Sequence, residues 1–245
     1  MIFVLIAYLI GSLNFGQLLS RVKEVKLGEA NSGNFGATNA GRTYGFKYFI
    51  LVFIGDFSKV FVATAILLLF STNILFFSHA ALAFSLVFII VGHMWPVYFN
   101  FKGGKGVATL IALMLIMNWF VALISMMVFI FVIFSTKRVS VAAISLSFTF
   151  ALLITLAPLL TFVNQPSGEL LYWGAFTTAW VGATLVTLKH SSNIIGIKND
   201  SESKLNFIGE IEFGAKKVIK PDYSRKYTQP SKSRQVSVSK PNEKK

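Results

Sequence analysis

The sequence predicts an all-α integral membrane protein with seven transmembrane helices, an external N-terminus and a cytoplasmic C-terminus. Three observations predict this fold class. The 245 residues are 54% hydrophobic and only 13% charged, which is too apolar for a soluble domain. Several apolar stretches reach the roughly 20 residues that a helix needs to cross the hydrocarbon core of a bilayer. The Lys and Arg residues are concentrated in the connectors of one side.

The candidate spans are the long stretches with few or no charged residues. They are 1–20, 46–70, 78–101, 107–134, 141–163 and 171–188. The first span carries its charges after its apolar part, beginning at Arg21. It is therefore expected to be an anchor helix and not a cleaved signal peptide.

The connectors differ sharply in charge. The connectors with nearly all the cations are 21–45, 102–105, 137–138 and the segment after 188; those with none are 71–78 and 162–170. By the positive-inside rule the first group is cytoplasmic and the second external. Because the connectors at both ends of 107–134 are then cytoplasmic, this stretch must cross the membrane an even number of times. Its 28 residues span only about 42 Å as one helix, which is too short for two full spans. We expect two short or tilted helices broken near Asn118 and Trp119; a re-entrant pair satisfies the same parity.

The chain divides into an expected membrane domain, residues 1–204, and a basic tail, residues 205–245. The tail has ten cations against four acids and few apolar residues, so we expect it to be disordered in the cytoplasm. It is either solvated or held on anionic lipid. Nucleic acid is not an expected partner, because the tail has few aromatic residues and the rest of the chain lies in lipid.

The first of three polar clusters on the predicted cytoplasmic side is NSGNFGATNAGR, residues 31–42. Its glycines allow the backbone N–H groups to converge on an anion. Ser32 and Thr38 add hydroxyl donors, and Arg42 adds a planar fork that binds phosphate oxygens in pairs. The cluster predicts phosphate binding.

The second cluster is GHMWPVYFNFKGGKGVAT, residues 92–109, in which two lysines alternate with glycines just before a predicted helix. A helix N-terminus preceded by glycines is an anion site. The G-x-x-x-x-G-K-[ST] pattern of nucleotide-binding loops is not matched, so an NTPase is not predicted.

The third cluster is KHSSN, residues 189–193, followed by Glu202. His190 and Asn193 share a face if the helix continues. One of them is suited to proton transfer and the other to donating a hydrogen bond to an oxyanion. Each cluster alone is compatible with a turn or a topology anchor, but three on one side favour an anion-binding site.

The remaining polar residues are interpreted structurally. The chain has no Cys, and its three His are scattered, so no disulfide, metal or cofactor is expected. His79 is expected at the external surface and His93 in structural hydrogen bonding. Asp56 and Lys59, three residues apart within a span, are expected to pair.

At these motifs the chain resembles the bacterial acyl-phosphate:glycerol-3-phosphate acyltransferases (PlsY family). The resemblance rests on residues 6–12, 32–42, 92–109 and 190–194, with Glu202 in register, and covers about the first 205 residues. It implies a seven-span inner-membrane enzyme that transfers a fatty acyl group from acyl phosphate to the 1-hydroxyl of glycerol 3-phosphate, the first step of phospholipid synthesis. Lysophosphatidic acid and phosphate are the implied products.

We expect Ser32, Arg42 and one of the two lysines to hold glycerol 3-phosphate, and the second motif with Asn193 and His190 to hold the acyl phosphate. The proton acceptor is either His190 or the acyl phosphate itself. The expected catalytic residues are His190, Asn193, Ser32 and Arg42. The expected substrate-binding residues are Gly33, Asn34, Gly36, Thr38, Asn39, Lys102, Gly103, Gly104, Lys105, Gly106 and Glu202. A monomer is expected.

The chain departs from the family pattern at four positions. Gly196 replaces an Arg, Asp200 a Gly, Phe35 a common Pro and Ser191 a frequent basic residue. The loss of that Arg removes a cation from the acyl-phosphate side unless Lys189 or Lys198 compensates. These changes are also compatible with an alternative interpretation, in which the protein is a weakened family member that acts as a membrane partner. A transporter of small phosphorylated solutes is a further alternative, although the spans offer almost no charged path.

Overall fold

The computed structural model describes residues 2–71, 79–160 and 166–205, all within one compact unit. These residues form helices and turns and contain no strand, as predicted. The helices are α1 Ile2–Gly11, α2 Phe15–Val22, α3 Ala37–Tyr44, α4 Phe46–Ser71, α5 His79–Met94, α6 Val107–Thr136, α7 Val139–Leu160, α8 Pro166–Lys189 and α9 Ser191–Lys198. The predicted tail lies outside the described residues, apart from Leu205, and so does the side chain of His79.

Three helices of the described chain are long and apolar enough to cross a membrane. They cover Phe46–Phe70, Val107–Thr136 and Val139–Leu156, and the bent pair α1 and α2 makes a fourth if it is one span. The predicted seven spans and the orientation of the termini stay predictions.

The first predicted span is two helices and not the single anchor helix expected. α1 and α2 meet at a bend of 40°. The side chain of Asn14 accepts a hydrogen bond from the backbone N–H of Gln17 at 2.9 Å and so starts a new helix. The carbonyls of Gly11 and Leu13, freed at the break, accept hydrogen bonds from Lys59.

The predicted break in 107–134 is confirmed at Asn118. Its φ of −159° and ψ of 98° are not helical, although helical residues lie on both sides. Its Oδ1 accepts a hydrogen bond from the N–H of Val121 at 3.0 Å, which caps the second half of α6.

Asp56 and Lys59 form the predicted pair in the interior of the helix bundle. Lys59 Nζ lies 3.0 Å from Asp56 Oδ1, and the two residues are 4% and 1% exposed respectively. His93 Nδ1 lies 3.3 Å from the same carboxylate oxygen and 3.0 Å from Lys59 Nζ. His93 therefore has the structural role expected, and the network joins α1, α4 and α5.

α5 packs between α1 and α8, and its contact with α1 depends on glycine. A Cβ atom at Gly92 would lie 2.3 Å from the carbonyl oxygen of Tyr8. The close approach lets the Tyr8 hydroxyl donate to the carbonyl of Trp95 at 2.8 Å, just beyond the end of α5. The start of the second polar cluster is thus held against α1.

The substitution Lys59→Met is expected to destabilise the protein by about 3–5 kcal/mol, because it leaves the Asp56 carboxylate buried without its cation. Thermal unfolding in detergent measures the change. Lys47→Met, which removes an exposed cation from the same helix, is the matched control and should unfold like the unmodified protein. Equal unfolding temperatures for the two variants would contradict the importance of the pair.

Candidate active site

The structure brings the three polar clusters together at one end of the bundle. Lys105 of the second cluster donates a hydrogen bond to Asn193 Oδ1 of the third. Lys189 Nζ donates to the carbonyl of Met94 at 2.9 Å. The first cluster is close enough that the charge of Arg42 acts on Lys105.

Asn39 shapes the loop of the first cluster. The residue is buried, and its amide nitrogen lies 3.1, 3.1 and 2.8 Å from the carbonyls of Leu27, Ala30 and Asn34. Its Oδ1 accepts from the N–H of Ser32 at 3.3 Å. Asn39 was expected to bind substrate, but its polar atoms are committed to the loop.

The other expected groups of the first cluster keep their hydrogen-bonding capacity. Within the described chain, the side chains of Ser32, Thr38 and Arg42 have no hydrogen-bond or ion-pair partner. Gly33 has a φ of +66°, which turns the loop, and Gly36 caps the N-terminus of α3. The first N–H groups of α3 follow the cap, which is the arrangement that binds anions.

The glycine loop of the second cluster rests directly on His93. The N–H of Gly104 donates to the His93 carbonyl at 3.2 Å. A Cβ atom at Gly104 would lie 2.2 Å from His93 Nε2, and one at Gly103 would lie 2.1 Å from the His93 carbonyl oxygen. Only glycine permits this contact. The buried pair of Asp56 and Lys59 therefore positions the loop through His93, which the sequence did not reveal.

A hydrogen-bonded chain links the second and third clusters. Besides accepting from Lys105, Asn193 donates through Nδ2 to Glu202 Oε1 at 2.7 Å. One N–H of this amide therefore points to Glu202 and the other has no acceptor in the described chain. Burial lowers the pKa of Lys105 to about 8; Glu202 opposes the shift and Arg42 adds to it.

His190 is neutral and has a defined tautomer. It is buried at the junction where α8 ends and α9 begins, so the unbroken helix on which a shared face with Asn193 would depend is not present. Its Nδ1 lies 2.8 Å from the carbonyl of Val186, which can only accept, so Nδ1 carries the hydrogen. Burial, with a contribution from Lys105, lowers the pKa of His190 to about 4. Nε2 remains as an acceptor.

Two of the departures from the family pattern, Gly196 and Asp200, lie in the turn at the end of α9. Asp200, in the position of the usual glycine, has a φ of +50°, a conformation that Asp tolerates better than most residues. The carbonyl of Gly196 accepts from the N–H groups of Ser201 and Glu202 at 2.8 and 3.2 Å. The N–H of Leu205 donates to the carbonyl of Lys137 at 2.7 Å. These hydrogen bonds place Glu202 within hydrogen-bonding distance of Asn193.

A cavity of about 650 Å³ lies between the first two clusters. It is lined by Gln17, Ser20, Arg21, Lys26, Gly28, Glu29, Gly33, Phe35, Phe101, Lys102, Gly103 and Lys189. Of the expected site residues, it includes Gly33, Lys102 and Gly103, whereas Arg42 and Lys105 lie outside it. Lys189 is in the lining, whereas Lys198 is exposed and is not among the lining residues.

No group of three or more His, Cys, Asp or Glu residues that could hold a metal ion occurs among residues 2–71, 79–160 and 166–205. What the described residues do provide is several cations, helix N-termini, an oriented amide and a neutral imidazole at one end of an apolar helical bundle. Fold and site together define a helical membrane protein that is equipped to bind phosphate groups.

Comparisons with known proteins agree with this class. The family model for glycerol-3-phosphate acyltransferase matches residues 1–200. The glycerol-3-phosphate acyltransferase of Aquifex aeolicus is 38% identical over 78% of this chain and 91% of its own. That of Mycoplasma mobile is 32% identical over 83% of this chain and 91% of its own.

Two crystal structures of PlsY, an integral membrane glycerol 3-phosphate acyltransferase, have the same fold. The glycerol 3-phosphate form has a TM-score of 0.71 and 31% identity, and covers 86% of this chain and 98% of its own. The lysophosphatidic acid form has a TM-score of 0.69 and 31% identity, and covers 87% of this chain and 98% of its own. The chain belongs to the glycerol-3-phosphate acyltransferase family, and the resemblance seen in its motifs is confirmed.

The substitution Gly104→Ala is expected to lower turnover roughly 100-fold, because the added methyl group forces the glycine loop off His93 by about 1 Å. Steady-state assay of the purified variant measures the loss. Gly196→Ala is the matched control, since its Cβ atom would make only ordinary contacts of 3.4 and 3.5 Å with Ser201 and Glu202. Normal turnover of Gly104→Ala would contradict the proposed seating of the loop.

Proposed function

We propose that the protein transfers a fatty acyl group from acyl phosphate to the 1-hydroxyl of glycerol 3-phosphate. The carbonyl–oxygen bond to the phosphate breaks, and an ester bond to the glycerol oxygen forms. The hydroxyl proton leaves with the phosphate, so the products are lysophosphatidic acid and inorganic phosphate. The observation that carries the proposal is the hydrogen-bonded chain of Lys105, Asn193 and Glu202 beside His190, in a member of this family.

Arg42 and Lys105 hold the phosphate of glycerol 3-phosphate in this proposal. The charge of Arg42 acts on Lys105 and contributes to lowering its pKa. Two cations that are close together repel each other, and a phosphate between them removes the repulsion. Ser32, whose hydroxyl has no partner among the described residues, completes this side. The glycines of the first cluster and the N–H groups that begin α3 support the same phosphate.

Asn193 and His190 act on the reacting atoms. The N–H of Asn193 that does not point to Glu202 donates to the oxyanion that develops on the acyl carbonyl. Nε2 of His190 accepts from the 1-hydroxyl and orients it. The pKa of His190, about 4, is below the second pKa of a phosphate ester, about 6, so the departing phosphate is the better base. The phosphate therefore takes the proton.

No covalent enzyme intermediate is needed, because acyl phosphate is already activated and the site has only to align two bound reactants. The glycine loop of Gly103, Gly104 and Gly106, with Lys102, supports the acyl phosphate. The loop precedes the N-terminus of α6, whose first N–H groups favour an anion. No cofactor takes part in the proposed reaction.

The membrane arrangement is proposed with the activity. Residues 1–204 form a seven-span domain with an external N-terminus, α6 contributing two short spans on either side of Asn118. The three clusters then face the cytoplasm of a bacterial cell, at its inner membrane. Residues 205–245 form a basic cytoplasmic tail. The protein acts as a monomer with the lipid bilayer as its surroundings.

The two alternatives have less support. A transporter of phosphorylated solutes needs polar groups that face a path through the bundle. In the described chain, Asp56 and Lys59 instead bond to each other and to the bend of α1. An inactive family member would not need the contacts from Asn193 to Lys105 and Glu202.

The direct test is phosphate release by the purified protein in detergent or lipidic mesophase with palmitoyl phosphate. Release should require glycerol 3-phosphate and be accompanied by a lysophosphatidic acid of the same chain length. Asn193→Ala should lose this activity and retain normal folding. Folded protein that forms no lysophosphatidic acid would refute the transferase.

The activity should fall as the pH rises through about 8. Above its pKa Lys105 loses its proton, and with it the attraction for the phosphate of glycerol 3-phosphate. The measurement is kcat/KM for glycerol 3-phosphate against pH. The Lys105→Arg variant keeps its positive charge throughout the measurable pH range. Its kcat/KM should therefore lack this fall at alkaline pH (the alkaline limb), whatever its absolute rate. An unchanged alkaline limb in Lys105→Arg would show that another group causes it.

A further inference from the structure

A group of aromatic and cationic side chains lies where α4 begins. It consists of Lys23 at the end of α2, Tyr44 at the end of α3, and Lys47 and Tyr48 in the first turn of α4. None of the four lines the 650 Å³ cavity. The apolar span of α4 starts at Phe46, so we call these four residues the interfacial cluster. Tyrosine and lysine are typical of the level at which a helix meets the lipid headgroups.

The ammonium group of Lys23 is held in place by the two tyrosines. It donates a hydrogen bond to the Tyr48 hydroxyl at 2.6 Å, and it lies 4.3 Å from the centre of the Tyr48 ring and 5.9 Å from that of Tyr44. The two rings meet edge to face with their centres 5.6 Å apart, and they pack against a buried core that includes Leu27 and Val52. A cation that is already oriented loses less conformational entropy when it binds an anion.

The interfacial cluster keeps hydrogen-bond donors that have no acceptor in the protein. Lys23 uses one of its three donors on Tyr48. Because the Tyr48 oxygen accepts that hydrogen bond, its own O–H is left for another acceptor, and none occurs among the described residues. Lys47 is exposed and has no hydrogen-bond or ion-pair partner in the described chain, while its charge acts on Tyr48. Two ammonium groups and one hydroxyl are therefore available to an anion beside Tyr48.

The acid nearest in sequence does not neutralise these cations. Glu24 follows Lys23 and is exposed, but it forms no ion pair with Lys23 or Lys47 within the part of the chain that the structure describes. A zwitterionic headgroup would find no paired carboxylate for its own cation here, whereas an anionic headgroup is attracted by both lysines. The charge complementarity therefore favours an anionic phospholipid.

The surface of α4 beyond Lys47 suits the acyl chain of a lipid. Leu51 and Ile54 lie four and seven residues after Lys47, on the same face of the helix, and are 52% and 56% exposed. A lipid whose phosphate lies at the interfacial cluster can place an acyl chain along this face. A soluble anion would make no use of it.

We propose that Lys23, Lys47 and Tyr48 bind the phosphate of an anionic phospholipid from the surrounding leaflet. The two ammonium groups and the Tyr48 O–H donate to the phosphate oxygens, and an acyl chain of the lipid lies against Leu51 and Ile54. This lipid is neither a substrate nor a product, so the site does not depend on the proposed function.

The test is lipid binding to the full-length protein in detergent, measured by native mass spectrometry. The probes are phosphatidylglycerol and phosphatidylcholine with the same acyl chains, and the unmodified protein should bind phosphatidylglycerol more tightly. Lys23→Met and Lys47→Met should each weaken its binding roughly fivefold, the loss expected for one cation at a membrane surface. Tyr48→Phe keeps the ring and should weaken it roughly tenfold, the loss expected for one hydrogen bond to a charged group.

Lys204→Met removes an exposed cation outside the interfacial cluster and is the matched control, which should bind phosphatidylglycerol like the unmodified protein. The basic segment 205–245 is the same in every variant, so any binding to it cancels in the comparison. Lys47 is exposed, so its variant tests the site without disturbing the contacts of Lys23 with the two rings.

Three results would overturn the site. The first is equal affinity of the unmodified protein for the two lipids. The second is phosphatidylglycerol binding by Lys23→Met, Lys47→Met and Tyr48→Phe that equals that of Lys204→Met. The third is displacement of the lipid by an equal concentration of inorganic phosphate, because a free anion makes no contact with Leu51 and Ile54.

Discussion

An ammonium group buried among apolar helices has to be surrounded by oxygen atoms, and the structure is organised around how Lys59 meets this requirement. Asp56 supplies one oxygen from the same helix, and the bend after α1 supplies two carbonyls. A straight first helix would have used those carbonyls in its own hydrogen bonds. The break in α1 and the charged pair in α4 therefore depend on each other.

The same network reaches the candidate active site through His93. Its ring contacts Asp56 and Lys59, its carbonyl accepts from Gly104, and the glycine loop lies against its surface. Because the loop carries a lysine at each end, the buried network sets the positions of both cations relative to α5. A short loop of glycines has little rigidity of its own, so this external support gives the site its shape.

The third cluster combines two departures from the family pattern with a hydrogen-bonded Asn193. Asp200 adopts the left-handed backbone that a glycine would favour, and Glu202 still reaches Asn193. Gly196 leaves no side chain where a cation is usual, while Lys189 is held beside the second cluster by Met94 and Trp95. Asn193 is thus oriented by Glu202, and Lys189 is held by contacts with the second cluster.

Much of this protein could be predicted from the sequence, because the observations involved are local or statistical. Apolar length indicated membrane helices, Asn118 marked the break in α6, and the pairing of Asp56 with Lys59 followed from the cost of isolated charges in lipid. The residue types in the three clusters indicated phosphate chemistry.

Only the tertiary structure decided what those residues touch. It committed Asn39 to its loop, set the bend after α1, seated Gly104 on His93 and brought Arg21 and Lys189 to one cavity. The reason is that each of these contacts joins residues far apart in the chain or depends on which competing acceptor is nearest, and neither is encoded by local spacing.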